Sequence, residues 1–143
     1  MEPERDKPIM KVLETDYWCL ILPVEWAASH EENSVRIVDQ DDVGELVITA
    51  LCKESGVVTP DELVAMATEE SPEVETWSAA TTGAFNGVTG FFSVSDASIR
   101  EWYVGAGAVL LYMSYLCHED DAGLDDASVD EILNTLVLGD SAS

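Results

Sequence analysis

The sequence predicts an α+β fold: a mostly antiparallel six- to seven-stranded sheet with helices packed on it as an α/β/α sandwich, in the order β-β-β-α-β-β-β-β-α. Three observations predict it. Glu45 to Cys52 and Val109 to Cys117 are apolar on both alternating faces, so a strand formed by either needs cover above and below. Short turn signals separate most successive strand-like runs, which favours hairpins and therefore antiparallel pairing. Two segments carry helix-start signals followed by an apolar stripe of helical period. Layers are the consistent way to cover both faces of such a sheet.

The elements follow in order. Tyr17 to Leu22 alternates Trp18, Leu20 and Leu22 with Tyr17, Cys19 and Ile21, and Pro23 ends the strand because it has no N–H for a ladder. Glu25 to Ser29 is a second strand or a bend, and Ser34 to Asp39 a short strand closed by the turn Gln40 to Gly44. The third main strand is Glu45 to Cys52. The first helix opens with Thr59 as N-cap, Pro60 at the first helical position and Glu62 completing a capping box, with Val58 and Leu63 at the staple positions. Leu63, Met66 and Ala67 form its buried stripe, with Val64 at its margin, and Ser71-Pro72 stops it. Thr76 to Phe85 is a softer strand, Asn86-Gly87 a hairpin turn, and Val88 to Ser95 the returning strand. Asp96 to Ser98 turns the chain again, and Ile99 to Val104 and Val109 to Cys117 complete a meander across a small-residue turn. The closing helix starts near Ser128 with Glu131 as a second capping box, buries Val129, Ile132, Leu133 and Leu136, and stops at Gly139. The expected organisation is a flexible segment over 1–14, one domain over 15–139 and a tail over 140–143.

That order, with two local signatures, resembles the PsbP-like superfamily, which includes the photosystem subunit PsbP, DcrB-like proteins, a eukaryotic Ran-binding relative and type VI secretion effector chaperones. The first signature is the strand running into Leu22-Pro23-Val24-Glu25-Trp26, similar to an early L-P-x-x-W turn. The second is Val129 to Leu136, similar to a closing I-L-x-S-F helix. The resemblance spans Tyr17 to Leu138 by element order and implies a non-enzymatic binding protein that holds a protein partner on sheet or loop surfaces. It brings no catalytic residues with it.

Charge narrows the function further. The chain has 143 residues with 29 Asp plus Glu against 6 Lys plus Arg, a formal charge of −23, and no Lys or Arg follows Arg100. Such a molecule is repelled by nucleic acid and by anionic membrane surfaces. Its hydrophobic fraction of 47% is far above that of a disordered chain. Cys19, Cys52 and Cys117 are too few and too scattered for a disulfide framework, and Met1 to Lys11 lacks an apolar signal core, so a reduced, cytoplasmic protein is expected.

Specific chemistry is sparse. Cys117 and His118 are adjacent on a strand and point to opposite faces, which works against a shared metal with Asp120. The acids near Asp120 do not fit a calcium loop, because aligning Gly123 places Ala122 and Val129 where carboxylates are needed. Gly105 to Leu110 lacks the third glycine and the following helix of a dinucleotide loop, and no Walker, G-x-S-x-G, C-x-x-C or H-E-x-x-H motif occurs. No catalytic, cofactor or metal residues are therefore assigned, and no cofactor is expected. The expected function is an acidic protein-binding module, immunity-protein-like or effector-chaperone-like, that engages a basic partner. Its candidate contacts are Trp77, Glu119, Asp120, Asp121, Asp125 and Asp126. The alternative is a small-molecule-binding or housekeeping domain whose acidity is salt adaptation.

Overall fold

The computed structural model describes residues 10–140. Among these described residues, ten strands form two antiparallel sheets, and two α-helices accompany them. β1 (Met10–Glu14), β2 (Trp18–Pro23) and β10 (Val137–Leu138) form a small sheet in the order β1-β2-β10. The remaining strands are β3 (Trp26–His30), β4 (Ser34–Asp39), β5 (Gly44–Cys52), β6 (Ser78–Thr82), β7 (Phe85–Val94), β8 (Ala97–Ala106) and β9 (Val109–His118). They form a seven-stranded sheet ordered β3-β4-β5-β9-β8-β7-β6. Helix α1 (Pro60–Glu70) lies between β5 and β6 in the chain, and α2 (Asp126–Leu133) follows β9.

The α+β class, the antiparallel pairing, the seven-stranded sheet and the packing of helices on it are as expected; the second, three-stranded sheet is an addition. The strand beginning at Trp18 leaves the main sheet and pairs with β1 and β10, two short elements with little alternation to announce them. Met10–Glu14, placed in the flexible segment, is thus a paired strand, while residues 1–9 and 141–143 lie outside the described residues. Glu25 to Ser29 resolves as strand β3 rather than a bend.

Two faces organise the core. On one, β2 and α2 cover the large sheet, and Trp18, Leu20, Leu22, Ile37, Leu46, Ile48, Phe85, Trp102, Leu111, Met113, Ile132 and Leu133 are sealed within it. On the other, α1 packs across β7 and β8 through Leu63 and Ala67, against Tyr103, Leu110, Val88 and Tyr112. Since side chains alternate along a strand, each residue's face follows from register alone. Trp102 and Leu111 lie under α2 and the small sheet, and their neighbours Tyr103 and Leu110 lie under α1.

Helix α1 starts as expected. The Thr59 side chain accepts from the Glu62 N–H at 3.2 Å, and the Glu62 carboxylate accepts from the Thr59 N–H at 2.9 Å. Helix α2 departs from expectation. It begins at Asp126, so Ser128 lies inside it and the Ser128–Glu131 box does not form; the N-cap Asp125 makes no side-chain cap bond because its carboxylate accepts from Tyr115 Oη at 2.6 Å. Gly139 does not stop this helix, which ends before Asn134. Its N–H instead donates to Tyr17 O at 2.9 Å, so close that a Cβ would meet Asp16 O at 2.6 Å.

The expected Asn86-Gly87 turn is also corrected. Both residues lie within β7, and the hairpin turns at Gly83-Ala84, between the paired residues Thr82 and Phe85. Gly83 has a left-handed φ of 64°, and a Cβ there would meet Leu136 O at 2.2 Å, so the close approach of the C-terminal segment selects glycine at this turn. The next turn sits at Ser95-Asp96, with Ser95 at φ 55°, between the paired Val94 and Ala97.

Candidate functional site

The site that stands out lies on the α1 face, where the sheet is only partly covered. The meander β8–β9 turns at Gly107-Ala108, and the resulting register pairs Tyr103 with Tyr112 and Glu101 with Ser114. Glu101, Tyr103 and Tyr112 therefore project from neighbouring positions on one face. The end of α1 and the chain after it supply Met66, Glu70, Ser71 and Glu73, while Leu51 and Phe92 complete the wall. Together these residues line a cleft of about 520 Å³.

Glu101 is the unusual member. It is only 6% exposed, and it is the one carboxylate residue buried among the described residues. Its Oε2 accepts from Tyr112 Oη at 2.5 Å, whereas its Oε1 is buried without a hydrogen-bond partner among the described residues. Burying a polar oxygen without a partner is unfavourable, and more so for a charged group. Burial beside the Glu101 carboxylate pushes the Tyr112 phenol well above its ordinary range, because ionising it would place a second negative charge there. Burial likewise raises Tyr103, whose hydroxyl lies 3.0 Å from Ser71 Oγ and whose ring sits 5.0 Å from that of Tyr112.

Among the described residues, no lysine or arginine lines the cleft. Arg36 pairs with Glu31 and Glu45, Lys53 with Glu62, and Arg100 with Asp130 at 3.0 Å while stacking 4.5 Å from the Trp102 ring centroid. These cations are engaged by acids elsewhere on the chain, and Glu70, Glu73 and Glu101 face the cleft together.

The residues singled out from sequence fall in two places. Trp77 is half-buried, stacked edge-on against Tyr103 at 5.6 Å beside the cleft; it supports the α1-face cluster rather than standing free. Glu119, Asp120 and Asp121 form a 3-10 turn after β9, and His118 caps it by accepting from the Asp120 N–H. Asp125 is engaged by Tyr115, and Asp126 faces Arg100 at 4.0 Å. The acidic cluster is thus partly consumed by internal contacts, and it is not brought together with Trp77. Cys117 is buried and His118 exposed, on opposite faces as the strand geometry requires. Among the described residues, no group of three or more His, Cys, Asp and Glu is arranged to hold a metal ion, and no helix is long and apolar enough to cross a membrane.

Sequence reasoning missed Glu101. The available signal was a lone acid in the alternation Ile99, Glu101, Tyr103, one strand from Tyr112. Recognising it required the β8–β9 register.

No protein-family model matches the sequence, and a search of curated proteins finds no match. Solved structures do match. The fold is similar to that of a protein from Bacteroides thetaiotaomicron VPI-5482, with a TM-score of 0.69 and 14% identity over 95% of this chain and 51% of that one. It is also similar to cyanobacterial PsbP (CyanoP) from Synechocystis sp. PCC 6803, with a TM-score of 0.61 and 12% identity over 90% of this chain and 92% of that one. The chain spans about half the length of the Bacteroides protein. At these identities the likeness is one of fold: the chain has a PsbP-like fold.

Proposed function

We propose that this chain is a non-enzymatic, acidic protein-binding module, immunity-protein-like or effector-chaperone-like, that engages a basic partner on the α1 face of its large sheet. The observation that carries this reading is the cleft in which Glu70, Glu73 and the buried Glu101 converge without a cationic side chain among the described residues. A net charge of −23 steers a basic protein toward the molecule and raises the encounter rate, and the aromatic and apolar walls of the cleft hold what arrives. The exposed acids Glu119 and Asp120 add to the field from another part of the surface.

The test is a pull-down with the tagged protein from lysate of its own cells, at low salt and at about 0.5 M salt, where screening shortens electrostatic reach to a few Å. A basic protein retained at low salt, released at high salt, and weakened by the paired substitutions Glu70→Gln and Glu73→Gln is the expected result. Recovery of no basic protein, or recovery indifferent to salt and to those substitutions, overturns it.

A further inference from the structure

We propose, resting on that reading, that the Glu101 cleft is a receptor for one primary ammonium group, presented as a lysine side chain of the partner. Four features select this chemistry. Glu101 is buried with Oε1 lacking a donor, so the site itself holds an unmet need for a hydrogen-bond donor of positive charge. Oε1 is shielded from water, so the group that reaches it must part the cleft wall and shed hydration. A cation meeting a carboxylate in a charge-assisted bond compensates for that loss.

The second feature separates lysine from arginine. A guanidinium binds a carboxylate best through two parallel bonds to both oxygens. Here Oε2 already accepts from the Tyr112 hydroxyl, so a second parallel bond to it must share that oxygen, while Oε1 has both acceptor sites open. An ammonium is a compact charge that needs only that oxygen and takes further acceptors from other directions. The third feature is the wall: the Tyr103 and Tyr112 rings supply aromatic surface that attracts a cation, and Met66, Leu51 and Phe92 match a four-carbon stem. The fourth is the rim, where Glu70 and Glu73 are exposed and add negative potential at the mouth.

The experiment is NMR titration of the full chain, following the Met66 methyl and the Trp77 indole, with Nα-acetyl-lysine methylamide as probe. The matching arginine amide and the Nε-acetylated lysine amide serve as controls. Saturable shifts with a Kd on the order of millimolar are expected for the lysine probe. The arginine amide should bind at least about fivefold more weakly, and the acetylated probe should not saturate. Glu101→Gln should weaken the lysine probe about tenfold or more while the amide spectrum stays dispersed. Tyr112→Phe provides the second variant: by freeing Oε2 it should erase most of the preference for lysine over arginine. Absence of saturable shifts with the folded wild type, equal affinity for both cations, or an unchanged Glu101→Gln overturns the proposal.

The outcomes also separate the two readings. A basic protein captured at low salt with no lysine-probe binding removes this inference and leaves the protein-binding module. Probe binding that depends on Glu101, with no basic protein captured, removes the protein partner; the ammonium then comes from a small free amine.

Discussion

The two faces of the seven-stranded sheet are built from the same strands and differ at every alternate residue. Under α2 and the small sheet, Trp102, Val104, Leu111 and Met113 are sealed in a continuous apolar core. Under α1, their neighbours Glu101, Tyr103, Leu110 and Tyr112 form a smaller cluster that ends at a cleft and includes a buried carboxylate. The large apolar cluster lies on the first face and the buried carboxylate of Glu101 on the second, although buried oxygens without a partner among the described residues occur on both, at Asp39 and Thr82 as well as at Glu101. The difference teaches that a chain with one dominant core can carry an unfavourable group on its other face, which is where binding chemistry is expected.

The sharpest way to break this comparison is to truncate adjacent leucines. Leu111 is fully buried in the large core, and Leu110 sits in the smaller cluster under α1. Leu111→Ala should cost about 4 kcal/mol and Leu110→Ala about 2 kcal/mol, measured by chemical denaturation, because the looser face relaxes more readily around the lost volume. Equal losses would mean that the α1 face is as tightly packed as the other.

Glu101 tests the same contrast with the opposite sign. Glu101→Gln keeps an acceptor for the Tyr112 hydroxyl and removes a buried charge. It should stabilise the fold by about 1 kcal/mol, since a neutral amide is less costly to bury than a carboxylate with one orphaned oxygen. A clear loss of stability would show that Oε1 is satisfied in solution, and the cleft would lose its unmet donor requirement.

The sealed face has its own titratable group. Tyr115 is buried and donates to Asp125, and burial together with that carboxylate raises its phenol above the ordinary value near 10. The unfolded chain then loses this proton first as pH rises. The stabilisation is complete below about pH 10 and is lost as pH climbs toward the folded-state value, at up to about 1.4 kcal/mol per pH unit. Tyr115→Phe should flatten the fall in stability between about pH 10 and 11 by up to that slope. An unchanged alkaline profile would mean that the phenol is not protected by the fold.

Much of this architecture was legible because its causes are local. The Thr59–Glu62 box places two mutually satisfied bonds within one turn, so sequence spacing alone locates the start of α1. Strand alternation likewise sorted Trp18, Leu20, Leu22 and Leu111 toward a core. The misplaced features depend on distant chain. Gly83 is selected at its turn by the approach of Leu136, and Asp125 is drawn away from capping by Tyr115 on a neighbouring strand. The cleft was illegible for the same reason: Glu101 and Tyr112 become a pair only through the β8–β9 register, and Glu70 and Glu73 join them only after α1 docks.

The smallest expected effect distinguishes the two helices, one on each face. Thr59 and Ser128 both head a Ser/Thr-x-x-Glu pattern, and sequence alone treats them alike. Thr59 caps α1, so Thr59→Ala should cost about 1 kcal/mol through the lost bond to the Glu62 N–H. Ser128 is exposed within α2, whose start is set by Asp125 and Asp126 turning toward Tyr115 and Arg100. There alanine is the better helix former, and Ser128→Ala should stabilise by a few tenths of a kcal/mol (roughly 0.5 at most). Both are read from urea midpoints at constant slope. A loss near 1 kcal/mol at Ser128 would mean that α2 starts three residues later in solution, at Val129, with Asp126 outside the helix.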